Sequence, residues 1–174
     1  MNRKVRNSNY HLLTAILLIL VSCKEGKSEK GGINSTTKDQ IFAFNIGDVL
    51  IKAKLAILTE ERQKGLMFVD EMDPGTGMLF VFEEPTPQKF WMKNTRIPLD
   101  IGYFSSNGTL KEIHSAKPYD LSGVPSRSKN IQFVLELNLN DFRTQKIKIG
   151  DRLNLGDIRE AIKARGLNPE KYKL

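Results

Sequence analysis

The chain has 174 residues, with 27 Lys and Arg against 20 Asp and Glu, two His and one Cys. That length fits one ordinary domain plus a leader, and 40% hydrophobic with 27% charged residues is a globular composition, which excludes disorder throughout. A single cysteine excludes a disulfide framework within the chain and a zinc site built from several thiolates.

The first 22 residues read as a bacterial secretory leader. Arg3, Lys4 and Arg6 form a basic start, and Leu12 to Val21 follow as an apolar run interrupted only by Thr14. The run is too short to span a bilayer core, which takes roughly 20 helical residues. Removing residues 1–22 leaves 24 basic against 20 acidic side chains, so much of the positive charge belongs to the leader. No basic stripe remains, and nucleic acid is not expected as a partner. Residues 24–39, KEGKSEKGGINSTTKD, hold one apolar side chain, Ile33, and read as a flexible tether.

From residue 40 onward, short apolar or alternating segments recur between turn residues. Phe42, Phe44 and Ile46 alternate, as do Val49, Ile51, Ala53, Leu55 and Ile57; Gly47-Asp48 between them marks a hairpin. Thr59 is placed to cap a short helix through Lys64, ended by Gly65 in the left-handed conformation. Met78 to Phe82 is a strand buried on both faces, Lys89 to Lys93 and Leu99 to Phe104 are two more, and Ser105 to Gly108 turns into a strand over Thr109 to Ser115. Ile131 to Leu137 follows, then a helical turn over Leu139 to Gln145, then two strands, Lys146–Ile149 and Arg152–Leu155, paired through Gly150-Asp151. A last helix has Asp157 at its cap and Ile158 and Ile162 on one face, and Gly166 and Pro169 stop it. The expected fold is mainly β: a compact β-sandwich or closed barrel with two or three short helices. The expected organisation is leader 1–22, Cys23 and tether to 39, a β domain over 40–155 and a helical tail over 156–174.

Two resemblances sharpen this reading. Leu20-Val21-Ser22-Cys23 resembles the bacterial lipobox, which implies cleavage before Cys23 and lipidation of that residue, placing the protein in the cell envelope on a membrane anchor. Several acyl chains hold a protein on a bilayer far better than one. Thr59 to Met67, Gly77 to Phe82, Phe90-Trp-Met-Lys-Asn-Thr95, Ile97 to Ile101, Val134 to Glu136 and Ile149 to Asp151 together resemble the bacterial and archaeal family called domain of unknown function 192. The resemblance spans about residues 45–155 and implies a compact β domain, but no reaction. The chain departs from the family pattern at Leu139-Asn140, where relatives often have Ala-Gly, and in the Lys117–Asn130 loop, which lacks cysteines some members carry there.

The densest chemistry lies around FWMKNT. Alternation along a strand turns Phe90 and Met92 one way and Trp91 and Lys93 the other. A Trp beside Lys and Asn makes an aromatic platform with donors, suited to a small polar ligand. Trp91, Lys93, Asn94, Asp100, Arg62 and Glu136 are therefore the candidate ligand-binding residues. Three readings stand: a membrane-anchored module binding a small ligand or an envelope protein; a hydrolase or isomerase of an envelope substrate with Asp100 and Lys93 as acid and base; and a structural domain in which Lys93, Asp100, Arg62 and Glu136 pair with one another. One histidine outside the leader makes no usual zinc set. Met67, Met72, Met78 and Met92 read as core filling rather than a soft-metal site, and Asp70 to Asp73 with Glu83-Glu84 as a solvated face. No metal or cofactor is expected, and the Lys117–Asn130 loop, with Tyr119 and Arg127, reads as a lid or a mobile connection.

Overall fold

The computed structural model describes residues 39–174; the leader, Cys23 and the tether as far as Lys38 lie outside the described residues. Strands β1 (Ile41–Ile46) and β2 (Val49–Ala56) form the expected hairpin, with Ile46 opposite Val49 across Gly47-Asp48. Helix α1 (Thr59–Lys64) leads to β3 (Thr76–Thr86), which lies parallel to β2. Parallel neighbours need a long crossover, and residues 57–75 supply it. Next come β4 (Lys89–Phe90), β5 (Leu99–Phe104), β6 (Leu110–Ala116), β7 (Val124–Pro125) and β8 (Ile131–Asn138). Helices α2 (Asp141–Thr144) and α3 (Leu155–Ala164) and a 3-10 turn (Pro169–Tyr172) complete the chain.

The architecture is mainly β. Six strands form one sheet in the order β1-β2-β3-β8-β5-β6, and β4 and β7 form a separate two-stranded piece. The sheet does not close into a barrel, because β1 and β6 do not pair with each other. Instead, residues 150–154 run between the two edges. On one side Gly47 N donates to Arg152 O (2.9 Å) and Asn154 N to Asn45 O (2.8 Å); on the other, Leu110 N donates to Asp151 O (2.8 Å) and Leu153 N to Gly108 O (2.8 Å). This corrects the expected pairing of Lys146–Ile149 with Arg152–Leu155. Arg152 and Leu153 bridge outward to Thr109 and Ile46, and the chain turns at Lys146 with φ 63°.

The two faces of the sheet carry two cores. Phe44, Ile51, Leu55, Leu79, Phe133, Leu135 and Leu137 pack on one side with Phe142 of α2 and Ile158, Ala161 and Ile162 of α3. Tyr172 and Leu174 belong to the same cluster, so the segment expected as a tail builds the main core. On the other side Phe80, Val134, Leu99, Ile101 and Tyr103 are covered by Leu66, Met92 and their neighbours from the crossover and the FWMKNT segment.

Local details differ from expectation for identifiable reasons. Thr59 is the first residue of α1 and does not cap it; Glu61 turns back to accept from Ile57 N and Leu58 N, each at 3.0 Å. Gly65 ends the helix as expected, with a positive φ of 48°, but its ψ of −136° lies outside the left-handed helical conformation. Helix α3 is capped by Asn154, leaving Asp157 in its first turn to accept from Asn45 N at 2.8 Å. The strand expected over Lys89–Lys93 stops at Phe90, because Thr95 N bonds to Met92 O (3.1 Å) across a turn with Asn94 at φ 57°. The Lys117–Asn130 loop is pinned: Glu112 accepts from Arg127 N and Ser128 N, and Tyr103 donates to Val124 O at 2.6 Å. Asn140 sits at φ 73°, a conformation that glycine enters freely and asparagine tolerates best among the rest, which accommodates the departure at Leu139-Asn140.

Candidate functional site

Strand β8 lies between β3 and β5, with Glu136 opposite Met78 on one and Ile101 on the other. Period-two alternation places Glu136 with Val134 on the face of the second core, among Phe80, Ile101 and Tyr103. The residue is 4% exposed. Most buried carboxylates are hydrogen-bonded. Among the described residues, no hydrogen bond or ion pair to the Glu136 carboxyl is formed; its oxygens keep a little exposure, the one fully buried side-chain atom without a partner being Arg165 Nε. Burial alone pushes its carboxyl up to about 8, so at neutral pH it holds its proton.

The carboxyl borders a cavity of about 30 Å³. The crossover contributes Arg62 and Gly65 to Met67, the sheet contributes Phe80, and the FWMKNT segment contributes Phe90, Trp91 and Thr95. Thr95 is 5% exposed, and its hydroxyl makes only a long contact, 3.5 Å, to Lys93 O. Phe80 and Phe90 meet edge to face with centroids 4.8 Å apart. A larger groove of about 660 Å³ shares the Lys64–Met67 segment with this cavity and is also lined by Phe68, Met72 and Met78. Its one largely buried acid, Glu61, is already paired with Arg165, so the uncommitted chemistry belongs to the smaller cavity.

The six sequence candidates separate. Arg62, Trp91 and Glu136 line the cavity. Arg62 spends its guanidinium on the carbonyls of Ile57 and Val81 and stands 5.3 Å from the Phe82 ring centroid. Trp91 is 52% exposed at the lip, with Lys93 Nζ 5.2 Å from its ring. Asn94 stitches the lip, its carbonyl accepting from Phe68 N at 2.9 Å. Asp100 belongs elsewhere: its carboxylate accepts from Ser115 Oγ (2.7 Å) and Asn140 N (2.8 Å), anchoring the start of α2. The mutual pairing of Lys93, Asp100, Arg62 and Glu136 is not formed, because each of the first three has another partner and Glu136 has none. Tyr119 and Arg127 do not line the cavity.

Sequence reasoning missed Thr95, Phe80 and Gly65 to Met67 as site residues. The signal that points to the cavity is one acid inside the apolar run Ile131 to Leu137. Of the four methionines read as core filling, three pack in the second core, Met92 at 1% exposed with Met72 and Met78 against it, while Met67 lines the cavity instead. Among the described residues, no three His, Cys, Asp or Glu side chains cluster to hold a metal.

Fold and site together define a small mainly β domain with an unpaired buried acid at the floor of an aromatic cavity. The chain belongs to the family described as Uncharacterized ACR, domain of unknown function 192, which matches residues 42–155. A crystal structure from Sinorhizobium meliloti 1021, provisionally described as a transcription regulator, is 35% identical with a TM-score of 0.61, covering 66% of this chain and 92% of that one. A protein of unknown function from Novosphingobium aromaticivorans DSM 12444 is 28% identical with a TM-score of 0.62, covering 71% of this chain and 99% of that one. No curated protein matches the chain.

Proposed function

We propose that this protein is a lipid-anchored module of the bacterial cell envelope that binds a small ligand in the Glu136 cavity. The observation that carries the binding reading is the buried carboxyl without a partner. The carboxyl faces the cavity with no protein partner, so a ligand able to hydrogen-bond it would find its donor and acceptor free. Trp91 and the Lys93-Asn94 turn supply a lip on which the rest of the ligand lies. The anchoring reading rests on the Leu20-Val-Ser-Cys23 sequence and the basic and apolar leader before it.

The acid/base reading of Asp100 and Lys93 finds no support in the geometry: no hydrogen bond or ion pair links them, and both Asp100 oxygens are already engaged. The test is a thermal-shift screen of the full chain in detergent against amines, amino sugars, sugars and peptidoglycan fragments. A ligand at about 100 times its Kd raises stability by about 2.7 kcal/mol, enough to resolve. Glu136→Gln and Trp91→Ala are expected to weaken any hit while the variants melt cooperatively. A hit that both variants keep at full strength would move the site elsewhere.

A further inference from the structure

We propose that the ligand group entering the Glu136 cavity is a primary ammonium at the tip of an unbranched chain, as on a lysyl side chain or a simple alkylamine; this rests on the cavity being the ligand site. Size is the first argument. A space of about 30 Å³ admits about two water-sized atoms, which suits a tetrahedral –CH2–NH3+ tip and excludes a sugar ring or a guanidinium.

Charge and hydrogen bonding are the second. The Glu136 carboxyl can ionise in place only beside a counter-charge, and the fold supplies none. The titratable groups around Glu136 are Arg62 and Lys64 from α1 and Tyr103 from β5. Arg62 is committed to the Ile57 and Val81 carbonyls. Lys64 lies exposed at the mouth, and Tyr103 donates to Val124 O. An ammonium would meet the Glu136 carboxylate on one side and the Thr95 hydroxyl on another. The remaining wall, Phe80, Phe90 and Trp91, is aromatic, and ring faces attract cations. Two lining residues already take part in cation–ring contacts with residues outside the cavity, Arg62 over Phe82 and Trp91 under Lys93.

The full chain in detergent is titrated calorimetrically with n-pentylamine, 1-pentanol and pentanoate, which share a chain and differ at the tip. Pentylamine stays cationic across the range used. If the ammonium assignment holds, pentylamine alone binds, and its apparent affinity rises about 50-fold from pH 6 to pH 8 and then levels off, because binding must first remove the Glu136 proton. Glu136→Gln is expected to abolish binding, and Thr95→Val to weaken it about tenfold, the loss of one hydrogen bond to a charged group. Pentanol or pentanoate binding instead, sensitive to Glu136→Gln and weakening above pH 8, overturns the ammonium assignment and leaves the cavity as the site. Binding of any probe unaffected by both variants overturns the cavity itself. Pentylamine failing to bind under all conditions also overturns the assignment.

Discussion

Glu136 sets the pH behaviour of the folded chain. Its carboxyl titrates near 8 when folded and near 4.5 when exposed, so between those values the folded chain holds a proton that the unfolded chain has released. Stability therefore falls as pH rises through that window, by on the order of 5 kcal/mol in all, and stays level above it. Urea unfolding of Glu136→Gln at pH 5, 7 and 9 is expected to lose this decline, with the variant more stable than wild type at pH 9. A wild-type stability that holds level from pH 5 to 8 would mean that Glu136 is paired in solution. Asp100 behaves differently. Asp100→Asn leaves a donor facing Asn140 N or Ser115 Oγ and is expected to cost about 1–3 kcal/mol by denaturation while leaving ligand affinity unchanged. At this scale the sequence was partly readable. The residue types around FWMKNT pointed to the right segment, and a charge within an apolar strand marked the acid. Which acid stays unpaired depends on partners 15 to 104 positions away, Ser115 and Asn140 for Asp100 and Arg165 for Glu61, and no local pattern encodes them.

Among the elements, α1 and α3 are joined by a buried ion pair. Arg165, with a fully buried side chain, donates to Glu61 and to Leu55 O (2.9 Å). Burial pushes Glu61 up, but the Arg165 guanidinium and the Leu58 and Ile57 amides outweigh it and hold the carboxyl below its usual range. Its contribution is thus present above the unfolded pKa and lost as pH falls through the folded one, opposite in sense to Glu136. Arg165→Met leaves Glu61 its two amide donors but no counter-charge, strips the Leu55 carbonyl of a donor, and is expected to cost about 3–5 kcal/mol, read as a lower urea midpoint with an unchanged slope. Elements governed by local chemistry were legible: the β1–β2 hairpin from Gly47-Asp48, β5 and β8 from their apolar runs, the end of α1 from Gly65. The parallel β2–β3 pairing and the 150–154 segment were not, because both are decided by partners distant in sequence. Period and turn residues announce a strand, not its neighbour.

For the whole molecule, the anchoring reading makes a direct claim. Cys23→Ser is expected to shift the protein from the membrane pellet to the soluble fraction of lysed cells, and metabolic labelling with a fatty-acid analogue is expected to vanish. Continued sedimentation of a folded Cys23→Ser protein would place its attachment elsewhere. Among the described residues, no helix is long and apolar enough to cross a membrane.

The position of β8 has a consequence for the order of events in the cell. The strand is close to last in sequence yet lies between β3 and β5, so until residue 138 has left the ribosome the sheet consists of two unjoined pieces, β1-β2-β3 and β5-β6. The closing groups of the main core, Tyr172 and Leu174, arrive later still. Contacts this distant in sequence form slowly and only on a finished chain. On the proposed reading of residues 1–22 as a secretory leader, the chain crosses a membrane as an unfolded thread, and this topology suits that route by delaying the cooperative fold until nearly all of the chain has been made.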